Sequence, residues 1–283
     1  MFRSDQGYGE GRMKELVGNR KRLGLATKAS IASGALKQNG PIWALYFGLY
    51  YGSAAVAEWA FSKMHALRLA KGLPGLNSAE LNQKIWEQWD WEAGGEEWTV
   101  SEEWKSSLVR TVLTPQMPAG GHIVEIGPGA GRWTEHLVKI AGRLTGVDIS
   151  QTCVDLCTRK FGSTGKARFV KTDGAHLPSV ETGDVDAIWS FDVFVHINRP
   201  EVERYTAEFA RVLKPGGKGV VHHGNVAGRN GGWRSDLDGE AFAAMLQRNG
   251  LVVLKQFSQW EDSGSVHKAG LYDDAITIFQ KPA

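Results

Sequence analysis

From His122 onward, short apolar runs alternate with amphipathic segments, and this alternation constrains the fold more than any other feature of the chain. Runs at 122–126, 143–148, 167–171, 184–191, 217–223, 251–259 and 274–280 predict strands. Helical periodicity falls near 131–141, 150–161, 200–213 and 237–249. Repetition of this kind predicts a doubly wound α/β sheet with right-handed crossovers and helices on both faces. No helical pattern separates the last two runs, so the final strand is free to run antiparallel. Ligands of such sheets bind outside the carboxyl ends of the strands, where strand order reverses. The strand ends are therefore where site residues are sought.

The chain's 283 residues suffice for one large α/β domain with a modest extra piece. Three divisions are expected: 1–37, 38–118 and 119–283. Residues 1–37 hold eight basic side chains against Asp5, Glu10 and Glu15, and read as a basic, partly mobile tail. No charged residue occurs from Gln38 to Ala57, where Gly48 and Gly52 fall in G-x-x-x-G spacing. By length this run could reach across a bilayer, but Glu58 and Lys63 follow while the helical pattern continues to Leu69. The favoured reading is a long helix packed on the main domain or on a second copy, making a homo-oligomer. Membrane-surface contact is the less favoured one. After the stop at Gly72-Leu73-Pro74-Gly75, residues 76–118 hold five of the eleven tryptophans and are rich in acids. They read as a helical cap, with Trp86, Trp89 and Trp104 in its core. Trp91, Trp98 and Trp133, beside glycine-rich turns, are expected to face the substrate.

The formal charge is only +2, and the aromatic stretch 86–104 is acidic, which argues against a nucleic-acid partner. Cys153 and Cys157, one helical turn apart, read as buried thiols. With no secretory pattern at the start of the sequence, a reducing, cytoplasmic setting is expected.

The segment Val124-Glu125-Ile126-Gly127-Pro128-Gly129-Ala130-Gly131-Arg132 reads as strand, glycine turn and helix start. A dinucleotide fingerprint would place glycine where Arg132 stands. Asp148 ends the second strand, where a carboxylate suits two ribose hydroxyls. Asp173-Gly174 follows the third strand, and Ser190-Phe191-Asp192-Val193-Phe194-Val195-His196-Ile197 ends the fourth. Arg211-Val212-Leu213-Lys214-Pro215-Gly216-Gly217 introduces the fifth.

Together, over about residues 108–281, these blocks resemble the class I S-adenosylmethionine-dependent methyltransferase family, of the small-molecule type. The resemblance implies a Rossmann-like sheet of order 3-2-1-4-5-7-6 with the last strand antiparallel, and S-adenosyl-L-methionine as cofactor. It implies that Glu125, Gly127, Gly129 and Gly131 face the methionine part, Asp148 the ribose, and Asp173 with Gly174 the adenine. Phe191 lies in the block that borders both cofactor and acceptor.

The expected reaction is O-methylation of a small molecule such as a sugar, glycan precursor or secondary metabolite, with a histidine base. His222 and His223 end the fifth strand, and alternation lets only one face the pocket; alignment of the Pro-Gly-Gly block favours His223. His196 and Asp192 are further candidates, and Trp233 with Arg234 is expected at the acceptor. No metal is expected. The rivals are an N-methyltransferase, an enzyme for a lipid-linked acceptor, and a non-catalytic cofactor-binding scaffold.

Overall fold

The computed structural model describes residues 25–226 and 234–283. The chain divides into two compact units, Met1–Gly72 and Leu73–Ala283. The division falls inside the expected 38–118 block, so the Trp-rich segment groups with the sheet rather than with the long helix.

The first unit is described by one helical element, α1 (Leu25–Lys71), broken at Gly40 (φ 79°) with Pro41 opening the next turn. Proline suits that position because its missing N–H has no partner to lose in a first turn. Among the described residues, no helix is long and apolar enough to cross a membrane.

The second unit opens with α2 (Ala79–Glu87), capped by the Ser78 side chain. A second helix, α3 (Glu102–Leu108), is capped by Ser101 and runs on through a wide turn at Val109–Leu113. Then come β1 (His122–Ile126), α4 (Thr134–Ile140), β2 (Arg143–Asp148), α5 (Gln151–Phe161) and β3 (Ala167–Lys171). The chain continues through β4 (Val185–Phe194), α6 (Arg199–Val212), β5 (Leu213–Gly224), α7 (Gly239–Arg248) and β6 (Val252–Phe257). It ends with a hairpin, β7 (Gln259–Asp262) and β8 (Ser265–Lys268), followed by β9 (Asp274–Gln280).

Seven strands form one sheet in the order β3-β2-β1-β4-β5-β9-β6. The last strand, β9, pairs antiparallel with both β5 and β6, in the sequence-expected arrangement. The hairpin was not expected. It divides the run 251–259, and its turn uses two left-handed residues, Ser263 (φ 54°) and Gly264 (φ 80°), which match the twist of a tight hairpin. Trp260 of β7 donates its indole N–H to Ser107 Oγ of α3, and Trp104 donates to the Lys268 carbonyl of β8.

The sheet separates two cores. On one face Val221 of β5 packs with Ile188, Phe194, Phe209, Phe242 and Phe279. On the other, Val220 packs with Trp104, Trp133, Trp189, Phe191 and Ile276. Period-two alternation thus assigns neighbouring residues of β5 to different environments. Truncating a buried ring such as Phe209 to alanine would cost about 3–5 kcal/mol.

Candidate active site

The parallel strands present their carboxyl ends along one edge, and the glycine turn after β1 lies there. Gly127 (φ 68°) and Gly129 (φ 56°) both take backbone conformations that side chains disfavour. A Cβ on Gly127 would collide with Val193, and one on Gly129 would stand 2.9 Å from the Trp91 ring. The turn is thus sandwiched between the segment ending β4 and the Trp-rich cap. Gly131 completes it, donating its N–H to the Pro128 carbonyl, and the Cys157 thiol donates to the Gly129 carbonyl. Cys153 and Cys157 are both buried, and burial pushes both thiols up.

Two carboxylates flank the turn. Asp148, buried at the end of β2, accepts from Ser150 N–H (2.9 Å) and Gly129 N–H (3.2 Å), and burial pushes it up to about 6. Glu125 accepts from Thr134 Oγ1 at 2.6 Å through one oxygen, while its other oxygen is buried without a hydrogen-bond partner. Burial pushes Glu125 up to about 8. A carboxylate with an orphaned oxygen fits a cationic ligand group. Asp173 is more exposed; it accepts from Ala175 and His176 N–H and pairs with the His176 ring at 2.6 Å. Gly174 (φ 82°) packs on Ile149.

Beside the turn, β4 ends in an irregularity between Ser190 and Phe194 that brings Asp192 into the left-handed region (φ 62°). Strain of about 1–3 kcal/mol at such a residue persists only where neighbours over-determine it. Here the Asp192 carboxylate pairs with the Arg132 guanidinium and lies 3.1 Å from His222 Nδ1. Burial alone would raise its pKa, but Arg132 and His222 together hold it well below the usual carboxylate range. Arg132 also lies over the Trp133 ring.

His222 is fully buried and stacked on Phe191, with ring centroids 4.2 Å apart and planes 12° from parallel. Its Nδ1 is 3.2 Å from the Asp192 N–H. Its Nε2 has no hydrogen-bond partner and points toward Asp274 Oδ2 at 3.6 Å. Asp274, itself buried, is ion-paired with Arg234, whose guanidinium lies over the Tyr272 ring. The outcome is an Arg132–Asp192–His222–Asp274–Arg234 chain along the strand ends.

The favoured histidine of the sequence reading is the one that faces away. His223 lies on the opposite side of the sheet against Phe242 (4.6 Å), with Nδ1 2.8 Å from the Gly224 carbonyl and Nε2 2.7 Å from Thr277 Oγ1. Burial pushes it down to about 4, so it is neutral and fully engaged. Trp133 also departs from expectation: it is buried among Trp104, Trp189 and Phe191. Phe191 is buried too, and its contact is with the His222 ring.

His196 is half-buried, edge-on to Trp86, and its carbonyl accepts from Asn82 of α2. Trp91 and Trp98 are half-buried and sit together with Trp86 and Trp89, and the Trp91 indole donates to the Trp86 carbonyl. Of these, Trp91 reaches the glycine turn. Trp233 lies outside the described residues.

Sequence reasoning missed Asp274 and the cap's anchors. Because β9 runs antiparallel, its first residue lies opposite Gly224 at the site edge, so an acid opening the last strand was the available signal. Glu87, closing α2, accepts from the N–H groups of Gln151 and Thr152 at the start of α5.

The family model described as Methyltransferase domain matches residues 123–217. The chain is 27% identical over 136 residues to phthiotriol/phenolphthiotriol dimycocerosates methyltransferase 1 of Mycobacterium ulcerans, which covers 46% of this chain and 47% of that protein. It is 31% identical over 102 residues to sterol 24-C-methyltransferase ERG6B of Gibberella zeae, covering 35% of this chain and 26% of that one. The match thus spans about half, or less, of these relatives' length. Among solved structures, geranyl diphosphate C-methyltransferase from Streptomyces coelicolor, crystallised with magnesium, geranyl diphosphate and S-adenosyl-L-homocysteine, superposes with a TM-score of 0.51 at 16% identity, covering 62% of this chain and 79% of that one. The stretch that matches the methyltransferase domain takes in the glycine turn and the Asp192 segment.

Proposed function

We propose that this chain transfers a methyl group from S-adenosyl-L-methionine to a hydroxyl of a small molecule, with His222 as the general base. The observation that carries the reading is His222: a buried ring beside the glycine turn, oriented by Asp192, with a free Nε2. When bound, the cofactor supplies an electrophilic methyl group on a sulfonium. Glu125, with its orphaned oxygen, would hold the α-ammonium, and Asp148, whose oxygens each keep a lone pair after their backbone bonds, would hold the ribose hydroxyls. Gly127 and Gly129 let the turn take its left-handed path between Val193 and Trp91. Asp173 and Gly174 border the adenine side.

Asp192 does for His222 what an acid partner does for a catalytic imidazole. Nδ1 lies 3.2 Å from the Asp192 N–H and 3.1 Å from its carboxylate; in the tautomer that donates Nδ1–H to the carboxylate, Nε2 is the unprotonated nitrogen. Nε2 would take the acceptor's hydroxyl proton in a displacement that leaves the cofactor as its neutral thioether, with the Asp192 and Asp274 carboxylates facing the imidazolium. Arg132 favours the ionised form of Asp192, and Arg234 pairs with the Asp274 carboxylate. Base catalysis of this kind is worth about 10²–10⁴-fold in rate.

The relatives' names, a phthiotriol/phenolphthiotriol dimycocerosates methyltransferase and a sterol 24-C-methyltransferase, support an apolar acceptor as the more specific form of the reading. The test is turnover of labelled S-adenosyl-L-methionine against panels of lipid, sterol and sugar alcohols. The expected result is transfer to a hydroxyl acceptor that His222→Gln abolishes while cofactor binding survives. Full turnover by His222→Gln would move the reading to an amine acceptor, and cofactor binding with no turnover on any panel would move it to a non-catalytic binder.

A further inference from the structure

We infer that the exposed apolar face of α1 docks on an anionic lipid bilayer surface. Ile42, Tyr46, Leu49, Val56, Met64 and Leu67 recur at helical spacing and are each at least half exposed, from 51% at Leu67 to 72% at Ile42. Phe47, Tyr51, Phe61 and Arg68 of the same helix are half-buried or buried, while Trp59 and Leu69, away from that apolar stripe, are exposed as well. Aromatic rings follow one another along the helix, with Trp43 stacked on Phe47 (5.1 Å) and Phe47 tilted against Tyr51 (4.4 Å). From Ile42 to Leu67 the apolar face is about 39 Å long at ~1.5 Å per residue.

Charge identifies the occupant. Between Leu16 and Ala57 the sequence carries Arg20, Lys21, Arg22, Lys28 and Lys37 and no acid. Within α1, Lys28, Lys37, Lys63, Arg68 and Lys71 stand against Glu58 alone. At 100° per residue, Lys63 and Lys71 fall on the apolar face and Glu58 falls on the opposite one. A second copy seated on this face would bring a like excess of cations against it. An anionic bilayer instead accepts the apolar side chains at its acyl boundary, Trp43, Tyr46 and Tyr50 at headgroup level, and the lysines at its phosphates. Glu58 and Lys63 interrupt the run, and no described helix is apolar enough to span, so the helix lies in the plane of the surface.

The test is co-sedimentation of the full chain with vesicles of phosphatidylcholine alone and of equal parts phosphatidylcholine and phosphatidylglycerol. The expected partitioning is at least about tenfold stronger on the anionic vesicles and falls as salt is raised. The triple variant Ile42→Ser, Tyr46→Ser, Leu49→Ser should lose it while near-ultraviolet circular dichroism of the sheet unit stays unchanged. Absence of binding to either vesicle, or binding indifferent to lipid charge and salt, overturns the inference, and both are read on the unmodified chain. A lipid-free dimer that the triple variant dissociates, with no vesicle binding, would assign the face to a second copy and overturn it equally.

Discussion

His222 and His223 are adjacent in sequence and share one strand, yet they stand on opposite faces of the sheet. His223 is an engaged core residue whose two nitrogens meet Gly224 and Thr277. His222 meets an acid on either side and keeps an unpartnered nitrogen. The contrast teaches that residue type and position alone do not pick out a candidate base; the side of the sheet that each ring faces does.

The largest effect that sharpens this contrast is on turnover. His222→Gln should lower kcat about 10²–10⁴-fold and leave the affinity for S-adenosyl-L-homocysteine within about twofold, because no chemistry enters that equilibrium. His223→Leu should leave kcat within about threefold, since it touches neither Asp192 nor the glycine turn. Equal losses in the two variants would break the comparison.

Asp192→Asn comes next. The amide can donate to Nδ1 and so favours the wrong tautomer, and kcat should fall about 10²-fold. A change in the pH profile of kcat/KM distinguishes this positioning role from a structural one.

The third effect is on stability and belongs to His223. Its folded pKa of about 4 lies below the ordinary 6.5, so the folded state binds fewer protons than the unfolded chain between those values. The stability contributed by neutral His223 is complete above about pH 6.5 and is lost as pH falls through about 4. His223→Leu should therefore flatten the acid limb of the stability curve, measured by urea unfolding from pH 4 to pH 7. It should also cost about 1–3 kcal/mol at neutral pH by leaving the Gly224 carbonyl buried and unpaired. An unchanged acid limb would contradict the burial assigned to this ring.

The smallest effect tests the packing beneath His222. Trp133→Phe removes a buried indole nitrogen that has no hydrogen-bond partner. It should cost under about 1.5 kcal/mol and leave KM for the acceptor unchanged. A large rise in KM would return Trp133 to the substrate.

The strand–helix alternation, a last strand free to run antiparallel and the glycine turn were legible from periodicity and local backbone demands, and the sheet order from the family resemblance. The choice between His222 and His223 was not. Alternation says that only one faces the site, but which one depends on the register of β5 against β4, and that register shifts across Ser190–Phe194. Trp133 was misplaced for a related reason: α4 begins at Thr134, not near 131, and the turn before it directs the ring into the core. Asp274 and the hairpin depend on pairing between distant segments, which local patterns do not record.

Native mass spectrometry of the full chain as purified from cells tests the central claim most directly. The account predicts a co-bound S-adenosyl-L-methionine or S-adenosyl-L-homocysteine that Asp148→Ala fails to retain. A bare chain that stays bare when S-adenosyl-L-methionine is added would contradict it.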